Sequence, residues 1–180
     1  MTDTNDAAAP AGGAPQGGEG QTTGEAQPGL SIIAQYIKDL SFENPNSPRS
    51  LQPQGQPKLD INVNVNATPF NDNQFEVVLT LNAKANNDAM ALFVVELVYA
   101  GLIKVSGVPQ EHLHPFVMIE APRIIFPFAR NILAEATRNG GFPPLMLDPI
   151  DFAALYRQNL QQQQAAGAGE GGAPQQPMPN

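Results

Sequence analysis

Two histidines offer the most conspicuous chance of chemistry in this chain. His112 and His114 stand in "EHLHPF", with Glu111 beside them and Glu120 further along. Imidazoles can ligate zinc or move protons, but a zinc site needs further ligands at workable spacing, and a base must be positioned against a substrate. Cysteine is absent from all 180 residues, which removes thiolate ligands, thiol nucleophiles and disulfides together. There is no glycine-rich phosphate loop, no HExxH and no G-x-S-x-G. Carboxylates are scattered without a pair suited to acid–base work. The histidines therefore read as structural or surface groups, and the chain as a non-enzyme with no cofactor and no metal.

Binding has better support. Phe116, Met118, Phe126, Phe128, Phe142, Met146 and Phe152 crowd into the C-terminal part of the chain. Aromatic rings and methionines give large, adaptable contact area with little directional demand. Some must be ordinary core. As a group, Phe116, Met118, Phe126, Phe128, Phe142 and Met146 are candidates for a groove between helix, loop and sheet. Backbone exposed beside such a groove can hydrogen-bond an extended peptide of any sequence.

These side chains need elements to hold them. Residues 1–30 are almost wholly Gly, Ala, Pro, Gln, Thr, Asp and Glu, too little apolar surface to offset the entropy of ordering. Residues 161–180, "QQQQAAGAGEGGAPQQPMPN", form a second low-complexity tail. A single folded domain is expected over 31–160.

Within it, "IIAQYIKDLSF" (32–42) reads as an extended edge segment with Tyr36, Leu40 and Phe42 sharing parity. The proline-rich 44–57 reads as an irregular connector. "KLDINVNVNA" (58–67) alternates strictly, and "QFEVVLTLNAKA" (74–85) resumes the alternation after a break at "TPFNDN", so both predict half-buried strands. "AMALFVVELVYAGLIKVSG" (89–107) is apolar on both faces except at Glu96. Short turns favour an antiparallel meander.

"VPQEHLHPFVMIEAP" (108–122), broken by Pro109, Pro115 and Pro122, reads as loop or a short helical turn. A helix is predicted from Pro127, with Phe128, Ala129, Ile132, Leu133 and Ala136 as its stripe and "NGG" (139–141) as its end. Another is predicted from a cap at Asp148 and Pro149 through Phe152, Leu155, Tyr156 and Leu160. The class is α+β, a four-stranded antiparallel sheet with two main C-terminal helices. Met90, Leu92, Val94 and Val98 line a side of the apolar strand that the helices do not explain. Contact with another copy would bury it, so Met90, Leu92 and Val98, together with Ile132, are the expected oligomer interface.

The net charge is −8, and 31–160 carries twelve acids against nine bases. That balance disfavours nucleic acid, whose phosphates need clustered Lys and Arg. No apolar run reaches the roughly 18 residues of a membrane span, so no membrane insertion is expected, and the N-terminal residues show no signal-peptide pattern.

Several stretches in order resemble the bacterial protein-export chaperone family SecB. They are "YIKDLSFENPNSP" (36–48), "KLDINVNVNA" (58–67), "FEVVLTLNAKA" (75–85), "LFVVELVYAGLIKVSG" (92–107) and "PRIIFPFARNILAEATRNGGFPPLMLDPIDFAALY" (122–156), with the glutamine-rich close. The resemblance implies a cytoplasmic, ATP-independent homotetramer, a dimer of dimers. It also implies hydrophobic grooves that hold unfolded precursor proteins and delivery of those clients to the SecA translocase motor. The family's motor-contacting positions fall on Asp39, Glu43, Val94 and Glu96. The competing expectation is a plain oligomeric interaction module that holds no client.

Overall fold

A computed structural model describes residues 28–52 and 55–169. The rest of both expected tails lies outside the described residues. The alternating segments become β2 (Lys58–Asn71) and β3 (Gln74–Asn86), which form a hairpin, and β3 pairs in turn with β4 (Ala91–Ser106). Asn73 turns the hairpin at φ 56°, a left-handed conformation that asparagine tolerates. β2 continues through the expected break at "TPF". Pro69 is accommodated because β2 is an edge strand with a register shift beside it. Between β3 and β4, Asn87 Oδ1 accepts the N–H groups of Ala89 (3.0 Å) and Met90 (2.7 Å) and closes the bend.

β1 (Gly29–Glu43) lies at the opposite edge, antiparallel to β4, so the order is β1-β4-β3-β2. Only β2 to β4 are a meander; the connector carries the chain from one edge to the other in a Greek-key path. Gly29 and Leu30, expected in the tail, belong to this strand. Two register shifts leave Ile33 and Lys38 without partners, and each reverses which residues face which way. The shared parity expected for Tyr36, Leu40 and Phe42 therefore fails. Leu40 and Phe42 stand opposite Leu97 and Val95 on the helix side, whereas Tyr36 stands opposite Ala100 on the outer face.

The largest correction concerns α1, a 30-residue helix over Gln110–Asn139 that contains Pro115, Pro122 and Pro127. The expected loop over 108–122 and the expected start at Pro127 are both overturned. A proline inside a helix costs about 3 kcal/mol through its lost hydrogen bond and ring clash. Against that, Leu113, Val117, Ala121, Ile125, Ala129 and Leu133 repeat every fourth residue and are all buried. Each large side chain among them contributes about 1.5–3 kcal/mol. Packing on the sheet outweighs local propensity.

The helix ends where its glycines predict. Gly141 takes φ 88°, and the N–H groups of Gly141 and Phe142 bond to the carbonyls of Arg138 and Thr137. A Cβ on Gly140 would collide with the Phe42 ring, so only glycine permits that approach. The buried Thr137 hydroxyl lies 3.0 Å from the Ala134 carbonyl, to which it donates, and accepts the Leu145 N–H at 2.9 Å. This fixes the extended return segment, whose Leu145 and Leu147 are buried.

α2 (Phe152–Gly169) begins later and ends later than expected. Asp151, not Asp148, is its cap, because its Oδ1 accepts the Ala154 N–H at 2.9 Å. Residues 161–169, expected in the tail, continue the helix. α2 packs on α1 rather than on the sheet, with Phe152 edge-on to Phe126 at 5.9 Å. One helix therefore covers four strands. Its cover is incomplete: Ile37 and Leu40 at one edge and Leu59 and Ile61 at the other stay exposed on the helix side.

Thr137→Val is expected to lower stability by about 1–3 kcal/mol, because the Leu145 N–H then has no acceptor in a buried site. A shift of the urea midpoint checks it, and Thr137→Ser, which keeps the hydroxyl, should lose less.

Candidate binding surfaces on the two faces of the sheet

The outer face is built by register. Across β1 and β4, Asp39 stands opposite Val98, Ser41 opposite Glu96 and Glu43 opposite Val94. Continuing to β3, these rows meet Thr80, Asn82 and Lys84. Diagonal neighbours on a sheet lie about 7–8 Å apart, so Glu96 sits between Asp39 and Glu43 on one side and Thr80 and Lys84 on the other, with Val94 and Val98 flanking it along β4. All three acids are exposed, and Val94 and Val98 are half-buried. The structure thus brings Asp39, Glu43, Val94 and Glu96 onto one patch, although they come from strands more than fifty residues apart in sequence.

Beside this patch the outer face carries a hydrogen-bonded cluster that sequence reasoning missed. Tyr36 Oη donates to Glu76 Oε1 at 2.6 Å, reaching across β4, and Lys38 Nζ lies 3.0 Å from both Glu76 oxygens. The Tyr36 hydrogen bond, then the lysine, hold the Glu76 carboxyl below the ordinary carboxylate range. The same bond raises Tyr36. The bulge at Lys38 sets Asp39 on the same outer face as these groups, and no periodicity in the chain announces it.

On the helix side the groove candidates separate. Phe126 is only 5% exposed and packs edge-on against Phe152 of α2, so it belongs to the core and lines no open groove. Phe142 is half-buried in an aromatic cluster with Phe93 (4.9 Å) and Phe42 (6.4 Å). Phe116 is half-buried and packs against the core. Phe128 and Met146 are open to solvent, at 51% and 62% exposure, and Ile124 joins Phe128 one turn back along α1. Met118 lines a cleft of about 560 Å³ with Asn64, Val65 and Asn66 of β2 and Tyr156 and Leu160 of α2. A second cleft of about 640 Å³ follows towards the hairpin end, lined by Ala67, Phe75, Leu113 and Val117. His114 borders both. The two run beside β2, whose outer edge has no sheet partner among the described residues.

The interface candidates separate too. Leu92 is 8% exposed within the chain, under a connector whose Asn46 donates to the Ala91 carbonyl at 2.9 Å, so it is not a free surface residue. Met90 and Ile132 are half-buried and pack against the core. Val98 stands among the acids of the outer face. The exposed aliphatic residues at the sheet edges, missed from sequence, are Ile33, Ile37, Leu40, Leu59 and Ile61. Nothing in the alternation of β2 said that its apolar face would outrun the helix.

Among the described residues no group of three or more His, Asp or Glu side chains is placed to hold a metal ion. His114 Nδ1 lies 3.1 Å from Tyr156 Oη and ties α1 to α2, and His112 stands exposed beside Glu111. No described helix is long and apolar enough to cross a membrane.

Comparison with known proteins agrees with this geometry. The family model described as preprotein translocase subunit SecB matches residues 23–163. The chain belongs to the SecB family. A protein-export protein SecB from Mesorhizobium japonicum is 61% identical over 142 residues, 78% of this chain and 85% of that one. A SecB from Afipia carboxidovorans is 55% identical over 164 residues, 91% and 94% of the two chains. Among solved structures, a Mycobacterium tuberculosis SecB-like chaperone in complex with a ChAD peptide from an antitoxin matches with a TM-score of 0.57. At 15% identity, covering 67% of this chain and 90% of that one, it shows the shared fold alone. SecB-family proteins are chaperones of protein export, not enzymes, and this chain takes that general role.

The division of aromatics into core and surface is directly testable. Phe126→Ala should cost about 3–5 kcal/mol, while Phe128→Ala should stay within about 0.5 kcal/mol. Denaturant unfolding of both variants measures the contrast.

Proposed function

We propose that this SecB-family chain holds non-native precursor proteins in an unfolded, export-competent state on its helix-side apolar surface. It then delivers them to the SecA translocase motor through its acidic outer face. The observation that carries this reading is the chemical difference between the two sides of one sheet. One side leaves aliphatic and aromatic groups open at both edges and along α1; the other presents Asp39, Glu43 and Glu96 around two valines.

Apolar area attracts unfolded chain of any sequence, at roughly 25 cal/mol per Å² before ordering costs. The clefts beside β2 add edge backbone that can pair with an extended segment. That a SecB-like chaperone of this fold has been seen with a peptide supports the same use. The acidic patch suits a basic partner surface, with charge steering the encounter. Work as a homotetramer in the cytoplasm, a dimer of dimers, is part of the proposal. Several client surfaces on one particle raise effective concentration as a long client wraps around it, and the edge residues Ile37 and Leu40 supply area for contacts between copies. No step calls for nucleotide, so release depends on the motor or on competition.

The second reading, a plain oligomeric module, draws on the same edge residues: copies alone would cover them. A slow-folding client refolded with and without stoichiometric protein separates the two, and tryptophan emission reports only the client because this chain has no Trp. Holding delays refolding; a module without client binding leaves the rate unchanged. Asp39→Arg and Glu96→Arg should each weaken SecA binding by at least about tenfold while client retention stays near parental. Motor binding should also fall steeply with added salt, because exposed charges are screened. Equal loss of both activities would defeat the division between faces.

A further inference from the structure

We propose that Glu76 is a positioning residue for docking on the acidic face: by holding Lys38, it keeps the adjacent Asp39 carboxylate free to meet a basic partner. The inference rests on the reading of the outer face as the partner's docking surface. Neighbouring residues in a regular strand point to opposite sides. The register shift between Ile37 and Asp39 breaks that rule and sets Lys38 and Asp39 together at Val98. Left to itself, the Lys38 ammonium would lie within reach of Asp39 and cancel its charge.

Glu76 prevents this from two strands away. Both its oxygens lie 3.0 Å from Lys38 Nζ, and Tyr36 Oη fixes Oε1 at 2.6 Å. The carboxyl remains an anion because the tyrosine hydrogen bond, then the lysine, favour that form. Asp39 has no ion-pair partner among the described residues. The Lys38–Glu76 pair is electrically silent, so Asp39, Glu43 and Glu96 set the charge of the patch. Lys84, the other nearby outer-face lysine, stands opposite Val94 at the β3 side of the patch and lines a shallow pocket with both Asp60 and Glu96. It is thus shared between two acids and lies on the far side of β4 from Asp39.

The test uses purified SecA titrated against the parent protein, Glu76→Gln, Lys38→Gln, the double variant and Asp39→Arg. Glutamine at 76 still accepts from Tyr36 but no longer carries the charge that neutralises the lysine, and a single exposed charge corresponds to about threefold to fivefold in affinity. Glu76→Gln is expected to bind about fivefold more weakly, Lys38→Gln as tightly as the parent or tighter. The double variant should return to within about twofold of the parent. That rescue separates charge control from mere scaffolding, since a purely structural clamp leaves the double variant as weak as Glu76→Gln, which overturns the proposal. Parental binding by Glu76→Gln alongside loss in Asp39→Arg also overturns it and leaves the docking face intact. Parental binding by Asp39→Arg removes the docking face itself, and the inference with it. Lys38 is exposed at a bulge, so if Glu76→Gln fails to fold, weaker binding by Lys38→Gln alone still refutes the assignment.

Discussion

An α-helix with its side chains is about 10–12 Å across, whereas four strands at about 4.8 Å spacing span roughly 14–19 Å. A single helix laid on such a sheet therefore leaves a margin at each edge. Many α+β domains close the margin with a second helix on the same face. Here α2 packs on α1 instead, and Ile37, Leu40, Leu59 and Ile61 remain uncovered on the side that would otherwise be core. The open apolar surface follows from this mismatch of widths, and the proposed client-holding role depends on it.

The same arrangement explains how the chain builds a closed core while leaving that surface open. The centre of the sheet is fully buried: Val77, Leu79, Leu81, Val95 and Leu97 show no exposure, and α1 contributes Ile125, Ala129 and Leu133. Stability is concentrated along one diagonal of helix on strands. The margins are then free to serve binding, since changing them removes little from the core. The return segment and α2 complete the fold through specific links: Thr137 to Leu145, Phe126 to Phe152 and His114 to Tyr156.

The outer face obeys a different constraint. No element covers it, so each residue there must tolerate water, and asparagine, lysine and threonine fill β2 and β3. On β4 the valines are tolerable because polar neighbours flank them in register, Asp39 and Thr80 around Val98, Glu43 and Lys84 around Val94. Two bulges in β1 decide which of its residues join this face. A sheet that looks two-sided by composition thus becomes a patterned surface only through strand pairing.

Much of this was present in the residues themselves. Period-two alternation over 58–67 and 74–85 forces half-buried strands, because any other pairing would turn polar groups inward. The glycines at 140 and 141 ended α1 as their backbone freedom requires, and the order of the motifs with the glutamine-rich close carried the family. What local sequence did not hold was whatever depends on energy gained at a distance. Three prolines argued against α1 until burial against the sheet outweighed them. Phe126 and Phe128 were indistinguishable as phenylalanines, and only the turn of the helix made one core and the other surface. The bulges in β1, the meeting of Asp39 with Glu96 and the margins left beside α1 came from tertiary pairing, since register and cover are properties of two elements together and neither strand nor helix encodes them alone.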